Sequence, residues 1–147
     1  KKLSDGEVKT DLTNRLDVLQ QAIDTAKHLE DVRSLVNSLG DNPTQVKIDQ
    51  ARSAVEGLLD SVDKTELFEM VEAKQNALDT KVADAREAVE AISTPPTMEE
   101  LATAQEKVNL LPTGDIKNDL QKQINEKKKQ LLMMQMYFKF LQMKKRF

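Results

Sequence analysis

Apolar side chains recur along this chain at alternating steps of three and four, the spacing of one face of an α-helix. The clearest run is Leu67, Val71, Lys74, Leu78, Val82, Ala85, Val89 and Ile92. No Gly or Pro interrupts it, so the pattern predicts one helix from about residue 64 to 92, roughly 43 Å long at 1.5 Å per residue. Ser93-Thr94-Pro95-Pro96 then breaks the helix. Thr97 and Glu100 form a capping-box pair ahead of Leu101, Ala104, Val108 and Leu111, which predicts a helix over 98–111. Pro112-Thr113-Gly114 ends it. Asp115 is placed to cap a last helix over 115–131 carrying Leu120, Ile124 and Leu131. In the first half, the pattern predicts helices over 8–27, 28–39 and 43–59. Gly40 suits a C-cap, Asn42 an N-cap with Pro43 at the first helical position, and Asp63 with Glu66 the cap of the long helix.

The same order of apolar positions and breakers occurs more than once. Lys9-Thr10-Asp11-Leu12, Lys64-Thr65-Glu66-Leu67 and Lys117-Asn118-Asp119-Leu120 are spaced by 55 and 53 residues. Ile48, Ala51, Val55 and Leu58 match Leu101, Ala104, Val108 and Leu111. Asp31-Val32-Arg33-Ser34-Leu35-Val36 matches Asp84-Ala85-Arg86-Glu87-Ala88-Val89. A two-residue difference falls between Thr25 and Asp31. The expected fold is therefore all-α: two tandem three-helix bundles of about 53 residues that share a long continuous helix, in a spectrin-like arrangement. The divisions are 1–27, the end of a preceding repeat; 28–80, repeat 1; 81–131, repeat 2; and 132–147, a basic amphipathic tail. With Leu3 read as the end of that preceding unit's middle helix, the chain is a window on a longer array. Units of this size sit near the lower limit for independent folding, so helical continuity would couple them.

Composition supports thin helical cores. Of 147 residues only five are aromatic and none is Trp. There is no Cys, which excludes disulfides, thiol nucleophiles and thiolate metal sites. Charge is distributed unevenly. All 25 acidic residues lie at or before Glu126, and seven of the 22 basic ones follow it, so residues 1–126 carry a net −10 and the tail +7. The body repels nucleic acid, and none is expected as a partner. Only the tail suits an acidic partner or a membrane surface.

Chemistry is sparse. The single His, His28, stands between Lys27 and Glu30 without the converging ligands of a metal site or the nucleophile of a general base. It reads as a solvated side chain at a junction of two helices. Carboxylate pairs such as Glu99-Glu100 and Asp60/Asp63 fall at helix N-termini, where the helix dipole favours negative charge. Neither Ser4-Asp5-Gly6-Glu7 nor Leu39-Gly40-Asp41-Asn42 supplies enough ligands for a calcium loop. Leu110-Leu111-Pro112-Thr113-Gly114 lacks the residue that a sortase signal places between Pro and Thr. Lys74 and Lys127 occupy equivalent stripe positions, filled by Leu19 in the first copy, and read as boundary residues whose stems cover the core. No catalytic residue, cofactor or metal is expected, and the chain reads as a non-enzyme.

After Leu131 the repeat fails. Four of six Met and four of five aromatics lie in residues 133–147. Gln135, Lys139, Gln142 and Arg146 form a polar stripe, and apolar residues fill the other sides. The expected partner-binding residues are Met134, Tyr137, Phe138, Phe140, Leu141, Lys144 and Lys145. Four readings compete: a non-native extension, a terminal cap folded back or pairing two chains into a homodimer, a helix on a membrane surface, and a helix docked in a Met-rich groove.

The helix order, the repeat length and residues such as Asp84-Ala85-Arg86-Glu87-Ala88-Val89 resemble the tandem three-helix repeats of Gram-positive surface proteins, including albumin- and immunoglobulin-binding modules and adhesin stalks. The resemblance covers about residues 8–131. It implies a spacer, stalk or host-protein-binding segment at the cell surface or secreted, with a host protein or a second copy as partner. Two other functions fit the same helices: an intracellular, cytoplasmic adaptor acting through its tail, and a helical accessory domain of a toxin.

Overall fold

The structure, a computed structural model, describes residues 4–147. Leu3, assigned above to a preceding unit, lies outside the described residues. Five helices account for the described fold, with no strand among them: α1 (Asp5–Asn37), α2 (Gln45–Glu56), α3 (Val62–Glu90), α4 (Met98–Asn109) and α5 (Asp115–Arg146). The chain is all-α, as the periodicity predicts.

Local chemistry explains most of the boundaries. Ser4 caps α1 and Thr97 caps α4, each in a reciprocal capping box with Glu7 and Glu100 respectively. Thr44 caps α2 by accepting from the Lys47 N–H, and Ser61 caps α3 by accepting from the Lys64 N–H. Two expected caps are thereby corrected. Asn42 and Asp63 are displaced by Thr44 and Ser61, whose extended backbones mark the true entry points. Asp63 instead lies in the first turn of α3, where its carboxylate accepts from Arg33 at 2.6 Å. Pro43 precedes the α2 cap rather than opening the helix, and is buried. Gly114 stands at the N-cap of α5 without a side chain to offer, and Asp115 is the first helical residue. Gly40 adopts a left-handed φ of 64° in the turn after α1, two residues past the Ser38 C-cap.

The expected division into helices 8–27 and 28–39 is also corrected. α1 is one helix of 33 residues. Nothing between Gly6 and Gly40 breaks it, since neither Gly nor Pro intervenes. The two-residue difference from the other copies is absorbed inside a continuous helix as rotation, roughly 200° at 100° per residue. The stripe Leu12, Leu16, Leu19, Ile23 therefore leaves the side of α1 that carries Leu29, Val32 and Val36. Every residue from Ser4 to His28 is exposed, and burial begins only at Leu29 and Val32.

Two apolar clusters form the interior. One contains Val32, Val36, Leu39, Ile48, Ala51, Val55, Leu58, Leu67, Val71 and Leu78. The other contains Ala85, Val89, Ile92, Leu101, Ala104, Val108, Leu111, Leu120 and Ile124, with Leu131 packed at its edge. Each member of the second lies 53 positions after its counterpart in the first. Helices α1, α2 and α3 contact one another, as do α3, α4 and α5; among the described residues no helix pair outside those two sets is in contact. α3 lends Leu67, Val71 and Leu78 to one cluster and Ala85 and Val89 to the other, and Val82 packs against both.

Small cores with so few members depend on each of them. Ile124 is fully buried. Ile124→Ala is expected to cost about 2–5 kcal/mol, read from the urea midpoint, because it removes three carbons and leaves a void that slender helices cannot close.

Candidate partner-binding surface

Polar contacts repeat along with the core. Lys64 Nζ donates to the Leu58 carbonyl at 2.9 Å, and Lys117 Nζ donates to the Leu111 carbonyl at 2.7 Å. These are two of the three anchor lysines, each tying a helix to the turn that precedes it. The third, Lys9, is exposed. Lys74 pairs with Asp41 at 3.8 Å, and Lys127, 53 positions on, donates to Thr94 Oγ1 at 3.2 Å. Both lysines are half-buried, with stems along the core and ammonium groups at the α1–α2 and α3–α4 loops. The same offset links the faces between middle and third helices. Arg52 pairs with Glu72 and lies 5.8 Å from the Phe68 ring centroid, while Gln105 and Gln121 exchange amide hydrogen bonds at 2.6 and 2.9 Å.

The loop before α4 is fastened by one carboxylate. Glu100 Oε2 accepts from the Ser93 N–H, the Ser93 hydroxyl and the Thr97 N–H at 3.2, 2.7 and 3.0 Å. The Thr97 backbone donor, with the Ser93 hydroxyl, holds its pKa down at about 2 from the usual 4.5. Glu7 is lowered by the matching donors of Ser4.

His28 is exposed and lies mid-helix rather than at a junction of two helices. Among the described residues no group of three or more His, Asp or Glu side chains is placed to hold a metal ion. Shallow grooves recur where the turns before α3 and α5 approach the preceding long helix. One is lined by Thr25, His28, Leu29, Leu58, Leu59 and Ser61, and the other by Leu78, Val82, Leu111, Pro112, Gly114 and Ile116, with Val46 closing a third side. Both are open to solvent and mainly apolar, although Asp24, Asp60 and Asp63 also line the first and Asp79, Asp115 and Lys117 the second.

The residues expected to bind a partner all lie on the last four turns of α5. Met134, Tyr137, Phe138, Phe140, Leu141, Lys144 and Lys145 are all exposed, Tyr137 and Phe138 by 64% and 63%. Lys144 Nζ sits 5.5 Å from the Phe140 ring centroid. The stripe that faces the second core, Leu120, Ile124, Lys127 and Leu131, continues at the same spacing as Gln135, Phe138, Gln142 and Lys145. In α3 the corresponding positions are Val82, Ala85, Val89 and Ile92. Past Leu131 three of these four core-facing positions, Gln135, Gln142 and Lys145, are polar, with Phe138 the exception, and the outer surface turns apolar. A second exposed apolar line runs along the first half of α1 through Val8, Leu12, Leu16, Leu19 and Ile23. Sequence reasoning did not single out this line as a surface, although its anchor-aligned counterparts Leu67, Val71 and Leu78 are buried.

Comparison with family models, with curated proteins and with solved structures finds no match to this chain.

The Glu100 staple makes an acid-side prediction. Folded chains keep Glu100 ionised to about pH 2, whereas unfolded ones protonate it near 4.5. Its stabilisation is therefore complete above 4.5 and disappears as pH falls toward 2. A carboxyl-carbon NMR titration should give Glu100 a midpoint near 2, and Glu100→Gln should flatten the acid limb of the stability profile. A midpoint at the ordinary value would remove the staple.

Proposed function

We infer that the chain is a non-enzymatic segment of an extended helical array, acting as a spacer or stalk in which three-helix units of 53 residues share their long helices in a spectrin-like manner. The observation that carries this reading is the offset of the two cores: each member of the second lies 53 positions after its counterpart in the first. The contacting sets α1–α2–α3 and α3–α4–α5, which share only α3, also support it. The continuity of α3 across both clusters joins them through a rigid element rather than a loop. On this reading the first half of α1, exposed along its anchor-aligned stripe, is the closing helix of a preceding unit. The two extra residues in α1 then turn that unit by roughly half a revolution relative to the step at α3.

A stalk needs length, solubility and resistance to bending more than it needs a pocket. Charged outer faces and a net −10 over residues 1–126 supply the first two. Helices of 33, 29 and 32 residues that overlap end to end supply the third. Placement on a bacterial surface, or in a secreted bacterial protein, rests on the resemblance to Gram-positive surface repeats. Binding of a host protein through the exposed helix faces belongs to the same resemblance.

Small-angle scattering tests the array directly. A compact globule of this size has a radius of gyration of about 15 Å. The proposed rod must exceed that clearly and show the linear cross-section region of an elongated particle. A globular profile would remove the spacer reading.

A further inference from the structure

The last four turns of α5 carry a surface that the repeat does not explain. At 100° per residue, apolar side chains occupy one arc of roughly 240°, from Leu132 through Met136, Phe140, Tyr137 and Leu141 to Phe138. All are exposed. Lys144 and Lys145 enter that arc only at the last turn, and Gln135, Lys139, Gln142 and Arg146 fill the narrow remainder. Basic triplets bracket the segment, Lys127-Lys128-Lys129 before it and Lys144-Lys145-Arg146 at its end, and no acid occurs after Glu126.

We propose that residues 132–147 are a lipid-docking helix that lies in the interface of an anionic bilayer. Charge and width select this occupant. A second tail would set triplet against triplet in either the parallel or the antiparallel sense, so tail pairing works against its own electrostatics. The apolar line on α1 of another copy is a single helical stripe, of the order of 100° wide, and leaves more than half of the arc in water. Acyl chains surround any contour without shape matching. Lys127 and Lys128 donate to Thr94 and Gln105, so anionic headgroups meet the exposed Lys129 and the terminal triplet, and Lys144 and Lys145 reach them along their aliphatic stems. The helix does not cross the bilayer: no helix of the described residues is long and apolar enough. Residues 132–146 span roughly 22 Å, against about 30 Å of hydrocarbon. Because residues 1–126 carry −10, the same surface repels that part of the chain, and only the tail enters the membrane. This docking is independent of the array reading; its failure leaves the scattering result untouched.

Tyr137 is the only tyrosine and there is no tryptophan, so intrinsic emission reports on the tail alone. The full chain is mixed with vesicles of equimolar phosphatidylglycerol and phosphatidylcholine, some carrying brominated acyl chains, and with vesicles of phosphatidylcholine only. The expected result is co-sedimentation with the anionic vesicles, quenching of Tyr137 by bromine, and more than ~10-fold weaker binding to neutral ones. Lys144→Gln and Lys145→Gln are each expected to weaken binding about five-fold, the equivalent of about 1 kcal/mol per charge. Phe138→Asp with Phe140→Asp abolishes quenching. Deletion of 132–147 abolishes binding while leaving the melting temperature nearly unchanged, since none of those side chains is buried. Absence of binding, equal binding to neutral vesicles, or sedimentation without quenching overturns the proposal. So does a lipid-free oligomer in which Tyr137 is already shielded, because the occupant is then protein.

Discussion

Helix continuity is the constraint on which the rest depends. α3 runs for 29 residues without Gly or Pro, and its two halves belong to different apolar clusters. Each cluster contains only about ten side chains, nearly all Val, Leu, Ile or Ala. Cores that thin leave little margin over the conformational entropy of the residues they order. A flexible loop between the clusters would leave each to stand alone. A helix between them makes the hydrogen bonds of one half a boundary condition for the other, and Val82, packed against both clusters, lies at that seam.

Around this seam, polar side chains do local work. Lys64 and Lys117 hold the turns that feed the long helices, and Lys74 and Lys127 hold the loops that follow α1 and α3. Most of these contacts are at the surface, where each contributes little on its own. Their value is in fixing register: they recur at the 53-residue offset, so each unit closes in the same way. The differences are instructive. Glu100 fastens the α3–α4 loop, whereas Lys81 reaches the Asp41 carbonyl and Asn42 side chain in the α1–α2 loop. Beside the matched lysines Lys74 and Lys127, the two loops are thus fastened by further side chains of opposite charge.

Much of this was legible in the sequence, because a 53-residue offset in apolar positions translates into an offset in burial. Lys74 and Lys127 were readable as boundary residues for the same reason. What sequence reasoning missed has physical causes. Adjacent polar residues compete for each cap, and Ser61 over Asp63, or Thr44 over Asn42, is decided by where the backbone turns extended. The continuity of α1 was missed because a two-residue phase shift looks like a junction on paper, yet without Gly or Pro a helix absorbs it by rotating. For the tail, the pattern showed that the repeat fails after Leu131. It also showed the tail's polar stripe, but that Gln135 and Gln142 of this stripe continue the core-facing line follows only from α5 running unbroken to Arg146.

Thr80 offers the most direct test of coupling through the shared helix. It is exposed, lies between the two clusters on α3, and its hydroxyl bonds only the Asn76 carbonyl of the preceding turn. Proline there removes one helical hydrogen bond and costs about 3 kcal/mol locally while touching neither core. Calorimetry of the wild-type chain should give one endotherm with equal calorimetric and van't Hoff enthalpies, and Thr80→Pro should split or broaden it so that the calorimetric value exceeds the other. A wild-type chain that already melts in two steps, or a Thr80→Pro variant that keeps one sharp transition, would contradict the account.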